Sequence, residues 1–143
     1  MNIQNKKSLI DKFREYGYKV TPQRLAIFEF INERTDHPSA DLVFSELKKD
    51  FPTISQATIY NTLHILQEIG EVHELGFKDG KTRYDPDTTV HVNLVCKSCG
   101  KILDFTDEQL EEAWSRMVKK TGVRVAGQRL DLYYDCEDCS NNL

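Results

Sequence analysis

Apolar residues recur at helical spacing through the first half of the chain. Leu9, Ile10 and Phe13 mark one stripe, and Gly17 stands where a helix can stop. Leu25, Ile27, Phe28 and Ile31 form a second stripe behind Thr21-Pro22, a hydroxyl cap followed by a proline whose missing N–H costs nothing at the first helical position. His37-Pro38 breaks the pattern, and Ser39 can cap a third helix carrying Leu42, Val43, Phe44 and Leu47. After the linker Phe51-Pro52-Thr53-Ile54, Ser55 can cap a fourth helix that runs to about Ile69 and is stopped by Gly70. Ile59, Leu63, Leu66 and Ile69 share one face of that helix, and Gln56, Thr58, Tyr60, Asn61 and His64 share the other. Val72 and Leu75 then lead through the turn Lys78-Asp79-Gly80-Lys81 to Thr82–Asp85, and Asp-Gly is a favourable hairpin turn. Helices that end in a hairpin predict a winged helix-turn-helix over residues 1–84.

The pattern changes at Asp85-Pro86-Asp87, and residues 85–90 read as a hinge. Beyond it, strands are expected at His91–Val95 and Lys101–Phe105, on either side of a pair of cysteines. Asp107–Lys120 reads as a helix with Leu110, Trp114, Met117 and Val118 as its buried stripe. Leu130, Leu132 and Tyr134 alternate with Asp131 and Tyr133, as in a strand with one buried face. Residues 91–143 therefore form a small α/β domain, and the whole chain is α+β.

Composition narrows the setting. The N-terminal residues mix charges with scattered apolar side chains, and no stretch approaches a membrane span. A cytoplasmic protein without membrane contact is expected. The net charge of −4 argues against a generally basic nucleic-acid binder. It is unevenly placed, however: residues 1–84 hold 12 Lys and Arg against 12 Asp and Glu, and residues 85–143 hold 7 against 11. DNA binding by the first half would rest on a local face. Gln56, Thr58, Tyr60 and Asn61 can supply base-edge contacts in a major groove, with Lys19, Arg24, Lys78, Lys81 and Arg83 on the phosphates.

All four cysteines lie in the second half, as Cys96-Lys97-Ser98-Cys99 and Cys136-Glu137-Asp138-Cys139. Each spacing puts two thiolates on one knuckle, and two knuckles complete an all-sulfur tetrahedron suited to structural Zn(II), with no open position for catalysis. A rubredoxin-like electron carrier would hold iron in the same shell and be coloured, but it leaves the helical half without a role. A second constellation is His37, Asp85, His91, Asn93 and Asp104. Its mixed nitrogen and oxygen donors suit Fe(II), Mn(II) or Zn(II), and its two carboxylates would neutralise a dication. His64 and His73 have weaker claims to a metal.

Taken together, Val20-Thr21-Pro22-Gln23-Arg24, His37-Pro38-Ser39-Ala40, Ala57-Thr58-Ile59-Tyr60-Asn61-Thr62-Leu63 and the two cysteine pairs resemble the ferric uptake regulator (Fur) family over nearly the whole chain. The resemblance implies a homodimeric DNA-binding repressor with an N-terminal winged helix and a C-terminal dimerisation domain. By the same resemblance, Cys96, Cys99, Cys136 and Cys139 match structural zinc ligands. His37, Asp85, His91 and Asp104 look like the regulatory Fe(II) or Mn(II) site of the peroxide-responsive (PerR) branch. Asp104 and Asn61 are more similar to that branch than to iron-sensing members, which usually carry Glu and often Arg there. Asn93 departs from it, since a second strand histidine is usual. The implied activity is repression at an operator, relieved when peroxide oxidises a ligand histidine, with no substrate turned over and no enzyme. An iron- or zinc-responsive uptake regulator of the same family is the alternative.

Overall fold

Hydroxyl side chains start three of the first four helices. The chain opens with α1 (Ile3–Glu15) and continues through α2 (Pro22–Asn32), α3 (Ala40–Asp50) and α4 (Gln56–Glu68). Thr21, Ser39 and Ser55 sit in extended conformation before α2, α3 and α4. Their side-chain oxygens accept from the backbone N–H of Arg24, Leu42 and Thr58 at 3.2, 3.2 and 3.1 Å. Each cap satisfies a donor that the helix itself leaves open. Gly17 and Gly70 turn the chain after α1 and α4 at φ of 78° and 77°, a region that penalises any Cβ. The structure, a computed structural model, describes residues 3–77 and 81–141. It comprises two units, Met1–Thr88 and Thr89–Leu143.

In the first unit, the four helices bury the stripes that their periodicity predicts. Leu9 and Phe13 of α1, Ile27, Phe28 and Ile31 of α2, Val43 and Leu47 of α3, and Ile59, Leu63 and Leu66 of α4 enter one core. Burial of each such side chain is worth roughly 1.5–3 kcal/mol. Leu42 and Phe44 of α3 are only half-buried. Lys12 pairs with Glu71, and the Tyr18 hydroxyl donates to Glu68, so polar groups also tie the α1 region to the end of α4.

The wing follows as β1 (His73–Gly76) and β2 (Thr82–Asp85), an antiparallel pair with His73 opposite Asp85 and Gly76 opposite Thr82. Val72, Leu75 and Tyr84 anchor it by burial. The Tyr84 N–H also donates to the Pro38 carbonyl at 3.0 Å, which fastens β2 beside the break between α2 and α3. The predicted turn at Lys78-Asp79-Gly80 lies outside the described residues.

The second unit contains β3 (Val92–Cys96), β4 (Ile102–Phe105), α5 (Glu108–Thr121), β5 (Leu130–Tyr134) and a short α6 (Glu137–Ser140) that periodicity did not predict. The sheet order is β4-β3-β5, with β3 antiparallel to β4 and parallel to β5. Asp107 caps α5 through the N–H groups of Gln109 and Leu110, and Gly122 ends it at φ 66°. Val95 and Ile102 pair across the strands and are buried.

Two expectations about burial need correcting. The stripe Leu110, Trp114, Met117 and Val118 exists on α5, but no residue of that helix is buried, and Met117 is 49% exposed. Likewise, the β5 face that carries Leu130, Leu132 and Tyr134 is not buried, with Leu132 60% exposed. The register places Leu94 between Leu132 and Leu103, and Val92 between Leu130 and Phe105, on one apolar side of the sheet. Periodicity reports that a face is apolar; it does not report what covers it. No described residue of the second unit covers these faces fully.

Candidate metal centres and nucleic-acid face

The first knuckle forms because β3 ends in a tight turn. Cys96 N–H donates to the Lys101 carbonyl and Gly100 N–H to the Cys96 carbonyl, both at 2.9 Å, with Gly100 at φ 74°. The second knuckle is the start of α6, where the Cys136 carbonyl accepts from Cys139 N–H at 3.0 Å. Parallel pairing of β3 with β5 brings the two together: Lys97 N–H donates to the Tyr134 carbonyl at 2.9 Å, and Cys136 N–H to the Cys96 sulfur at 3.4 Å. All four sulfurs lie within 4.8 Å of one another.

The arrangement fits zinc on its own dimensions. A regular tetrahedron of Zn–S bonds of about 2.3 Å has sulfur–sulfur edges of about 3.8 Å, and Cys99 Sγ lies 3.8 Å from Cys136 Sγ. The electrostatics agree. Backbone N–H groups of Cys136 and Cys99 stabilise the Cys96 thiolate and lower its pKa to about 6. Hydrogen bonds of the Cys139 thiol to Cys136 and Cys99 push it up to about 12. Four thiols this close cannot all ionise without a cation among them.

The knuckles have a polar brace that sequence reasoning missed. Asp135 accepts from Ser98 Oγ at 2.9 Å and from Lys97 Nζ at 3.0 Å. These bonds hold its carboxyl below the usual range. The residues are adjacent to cysteines, so proximity in sequence was the available signal.

Each unit carries part of the second constellation. In the first, His37 lies in the α2–α3 connection in the left-handed region at φ 53°, unusual for a residue with a Cβ. Its Nε2 lies 3.5 Å from Asp85 Oδ2, and both side chains are buried. Asp85 closes β2, and its other oxygen accepts from Asp87 N–H at 2.9 Å.

In the second unit, His91 precedes β3 and its Nδ1 lies 2.9 Å from the Thr89 carbonyl. A carbonyl only accepts, so Nδ1 carries a proton, and in the neutral ring, the form that binds a metal, Nε2 presents its lone pair. That lone pair faces Asn93 Oδ1 at 3.2 Å and Asp104 Oδ1 at 3.7 Å. With the ring neutral, these three electron-pair donors converge on one point, where a cation can take them as ligands. One nitrogen with oxygen donors is chemistry that Fe(II) and Mn(II) accept readily. His64 is exposed on α4, and His73 lies in β1, so neither joins these groups.

On the proposed DNA face, Gln56, Tyr60 and Asn61 are exposed along α4 and Thr58 is half-buried, its hydroxyl 2.9 Å from the capping Ser55. Lys19 is exposed, and Arg24 donates through Nη1 to the Lys19 carbonyl at 2.6 Å. Lys81 and Arg83 of the wing line a groove with Ser39, Tyr60 and His64. Lys78 lies outside the described residues.

A winged helix and a four-thiolate metal site in one chain define the class of metal-binding transcription regulators. Residues 15–133 match the ferric uptake regulator family, and the chain belongs to it. The peroxide-responsive repressor PerR of Staphylococcus saprophyticus is 40% identical over 132 residues, which span 92% of this chain and 89% of that one. The Campylobacter jejuni peroxide stress regulator is similar in structure, with a TM-score of 0.72 and 35% identity over 97% of this chain and 100% of that one. The Pseudomonas aeruginosa ferric uptake regulator, solved with manganese, has a TM-score of 0.75 and 25% identity, covering 95% and 99% of the two chains.

Proposed function

We propose that this chain is a metal-dependent, homodimeric repressor that senses peroxide through a regulatory Fe(II) site. The observation that carries the reading is His91, whose Nε2 lone pair faces the oxygens of Asn93 and Asp104 at 3.2 and 3.7 Å. His37 and Asp85 supply the remaining ligands from the winged-helix unit. The carboxylates of Asp85 and Asp104 supply the negative charge that offsets a divalent cation. Fe(II), when bound, supplies the redox chemistry by which peroxide can oxidise a ligand histidine. An imidazole that has gained an oxygen is a poorer donor, so oxidation of His37 or His91 weakens the hold on the ion and ends operator binding. Mn(II) in the same ligands supports repression without that sensitivity.

The other partners follow from the exposed faces. The apolar stripe of α5 and the side of the sheet carrying Leu103, Phe105 and Leu132 are suited to burial against a second copy. A two-fold dimer presents two α4 helices, and its operator is a near-palindrome read by Gln56, Tyr60 and Asn61 in successive major grooves. No described helix is long and apolar enough to cross a membrane. Binding to operator DNA places the protein in the cytoplasm, as a sensor and not an enzyme.

Operator binding measured with Mn(II), Fe(II) and Zn(II) in turn, before and after peroxide, tests the reading. Fe(II)-loaded protein should lose DNA on peroxide treatment, with one histidine peptide heavier by one oxygen atom. Mn(II)-loaded protein should keep it. Loss of DNA without a histidine product refutes peroxide sensing, and indifference to peroxide with iron-dependent binding identifies an iron-responsive uptake regulator.

A further inference from the structure

The buried amide of Asn93 has its orientation dictated by a carboxylate outside the ligand set. β3 and β5 run parallel with Asn93 opposite Asp131, and Asn93 Nδ2 lies 3.0 Å from Asp131 Oδ1. An ionised carboxylate only accepts hydrogen bonds, so the amide end that faces it is the NH2 group. The amide oxygen must then face the opposite way, toward His91 Nε2.

Asp131 is itself fixed. Arg129 Nε donates to its two oxygens at 3.1 and 2.9 Å, Arg129 Nη2 lies 2.8 Å from Oδ2, and the Tyr133 hydroxyl donates to Oδ2 at 3.2 Å. With Arg129 and the Tyr133 hydroxyl donating to it, both Asp131 oxygens serve as acceptors.

This has a consequence for metal choice. With Nδ2 anchored, the strands offer a cation one imidazole nitrogen and two oxygens, those of Asn93 and Asp104. An amide without the anchor can turn by half a rotation and direct its N–H groups at the cation, which repels it. Oxygen donors suit Mn(II), whereas nitrogen-rich shells suit Zn(II).

We propose that Asp131, held by Arg129, is a positioning residue that makes Asn93 an oxygen donor and so tilts the regulatory site toward Mn(II) relative to Zn(II). The inference rests on the reading that His91, Asn93 and Asp104 hold the regulatory metal.

The test uses the full-length protein with zinc retained in the cysteine site. Free Mn(II) is measured by electron paramagnetic resonance, and Zn(II) by competition. Asp131→Leu should weaken Mn(II) binding by about tenfold or more and lower the Mn(II)-to-Zn(II) affinity ratio. Asp131→Asn keeps an oxygen that can accept from Asn93 Nδ2, and should recover Mn(II) affinity to within about threefold of the parent. A purely structural role would move both affinities together and leave the ratio unchanged, which overturns the proposal. Asp104→Ala separates the two levels. Loss of Mn(II) binding in Asp104→Ala with undiminished binding in Asp131→Leu leaves the metal site standing and removes Asp131 from it. Undiminished binding in both removes the regulatory site and the proposal with it. Should Asp131→Leu lose helicity or zinc, the surface change Arg129→Gln decides the matter. A lower Mn(II)-to-Zn(II) ratio supports the anchor, and an unchanged ratio overturns it.

Discussion

Removing zinc from the four cysteines should unfold the second unit while sparing the first. The magnitude follows from what each unit buries. In the second, Val95 and Ile102 are the buried aliphatic side chains among the described residues, worth together about 3–6 kcal/mol at roughly 1.5–3 kcal/mol each. Apparent binding free energies of structural zinc are about 10–16 kcal/mol near neutral pH. The metal term is thus the larger, and it acts where β3, β5 and α6 meet, because the sulfurs that converge there cannot all ionise without a cation. The first unit has its own core of Leu, Ile and Phe side chains from four helices and no share in the cysteines. A strong chelator at neutral pH, or Cys136→Ser, should therefore abolish the dimer in sedimentation and shift the emission of Trp114. The far-ultraviolet helical signal of α1–α4 should largely persist. Zinc-free protein that stays dimeric with unchanged Trp114 emission would refute the reasoning, since the small core would then suffice.

Leu63→Ala removes a fully buried side chain of α4 and should destabilise the first unit by about 2–5 kcal/mol in denaturant titrations, leaving zinc content unchanged. Tyr84 is buried in the wing, and burial, followed by the charge of Glu74, pushes its hydroxyl up to about 12 from 10.0. The unfolded chain releases that proton first, so the associated stability is complete below pH 10.0 and is lost as pH rises toward about 12; Tyr84→Phe should flatten that alkaline decline in thermal melts. Asn61 is exposed on α4, and Asn61→Ala should weaken operator binding by about 1–3 kcal/mol in gel shifts without altering Mn(II) affinity.

Features with local causes were legible in the chain. Thr21, Ser39 and Ser55 announce helix starts because a cap is made within three residues, and Gly17 and Gly70 announce stops because only the left-handed region is needed. The stripes of α2 and α4 were legible because a core-facing helix repeats its apolar positions every turn. The paired cysteines were legible as a metal motif, since each knuckle is four residues long.

What the tertiary structure alone decided lies in contacts distant along the chain. Nothing in the spacing of Leu110, Trp114, Met117 and Val118 says that α5 leaves them incompletely covered, because amphipathicity is a property of one helix and burial a property of its neighbours. The parallel pairing of β3 with β5 spans residues 97–129 and is set by register, not by any local pattern. It brings Cys96 to Cys136, and it also sets Asp131 against Asn93. From sequence, Asp131 was an ordinary polar position in an alternating strand. In the fold it is the group whose lone pairs decide which end of the Asn93 amide faces His91.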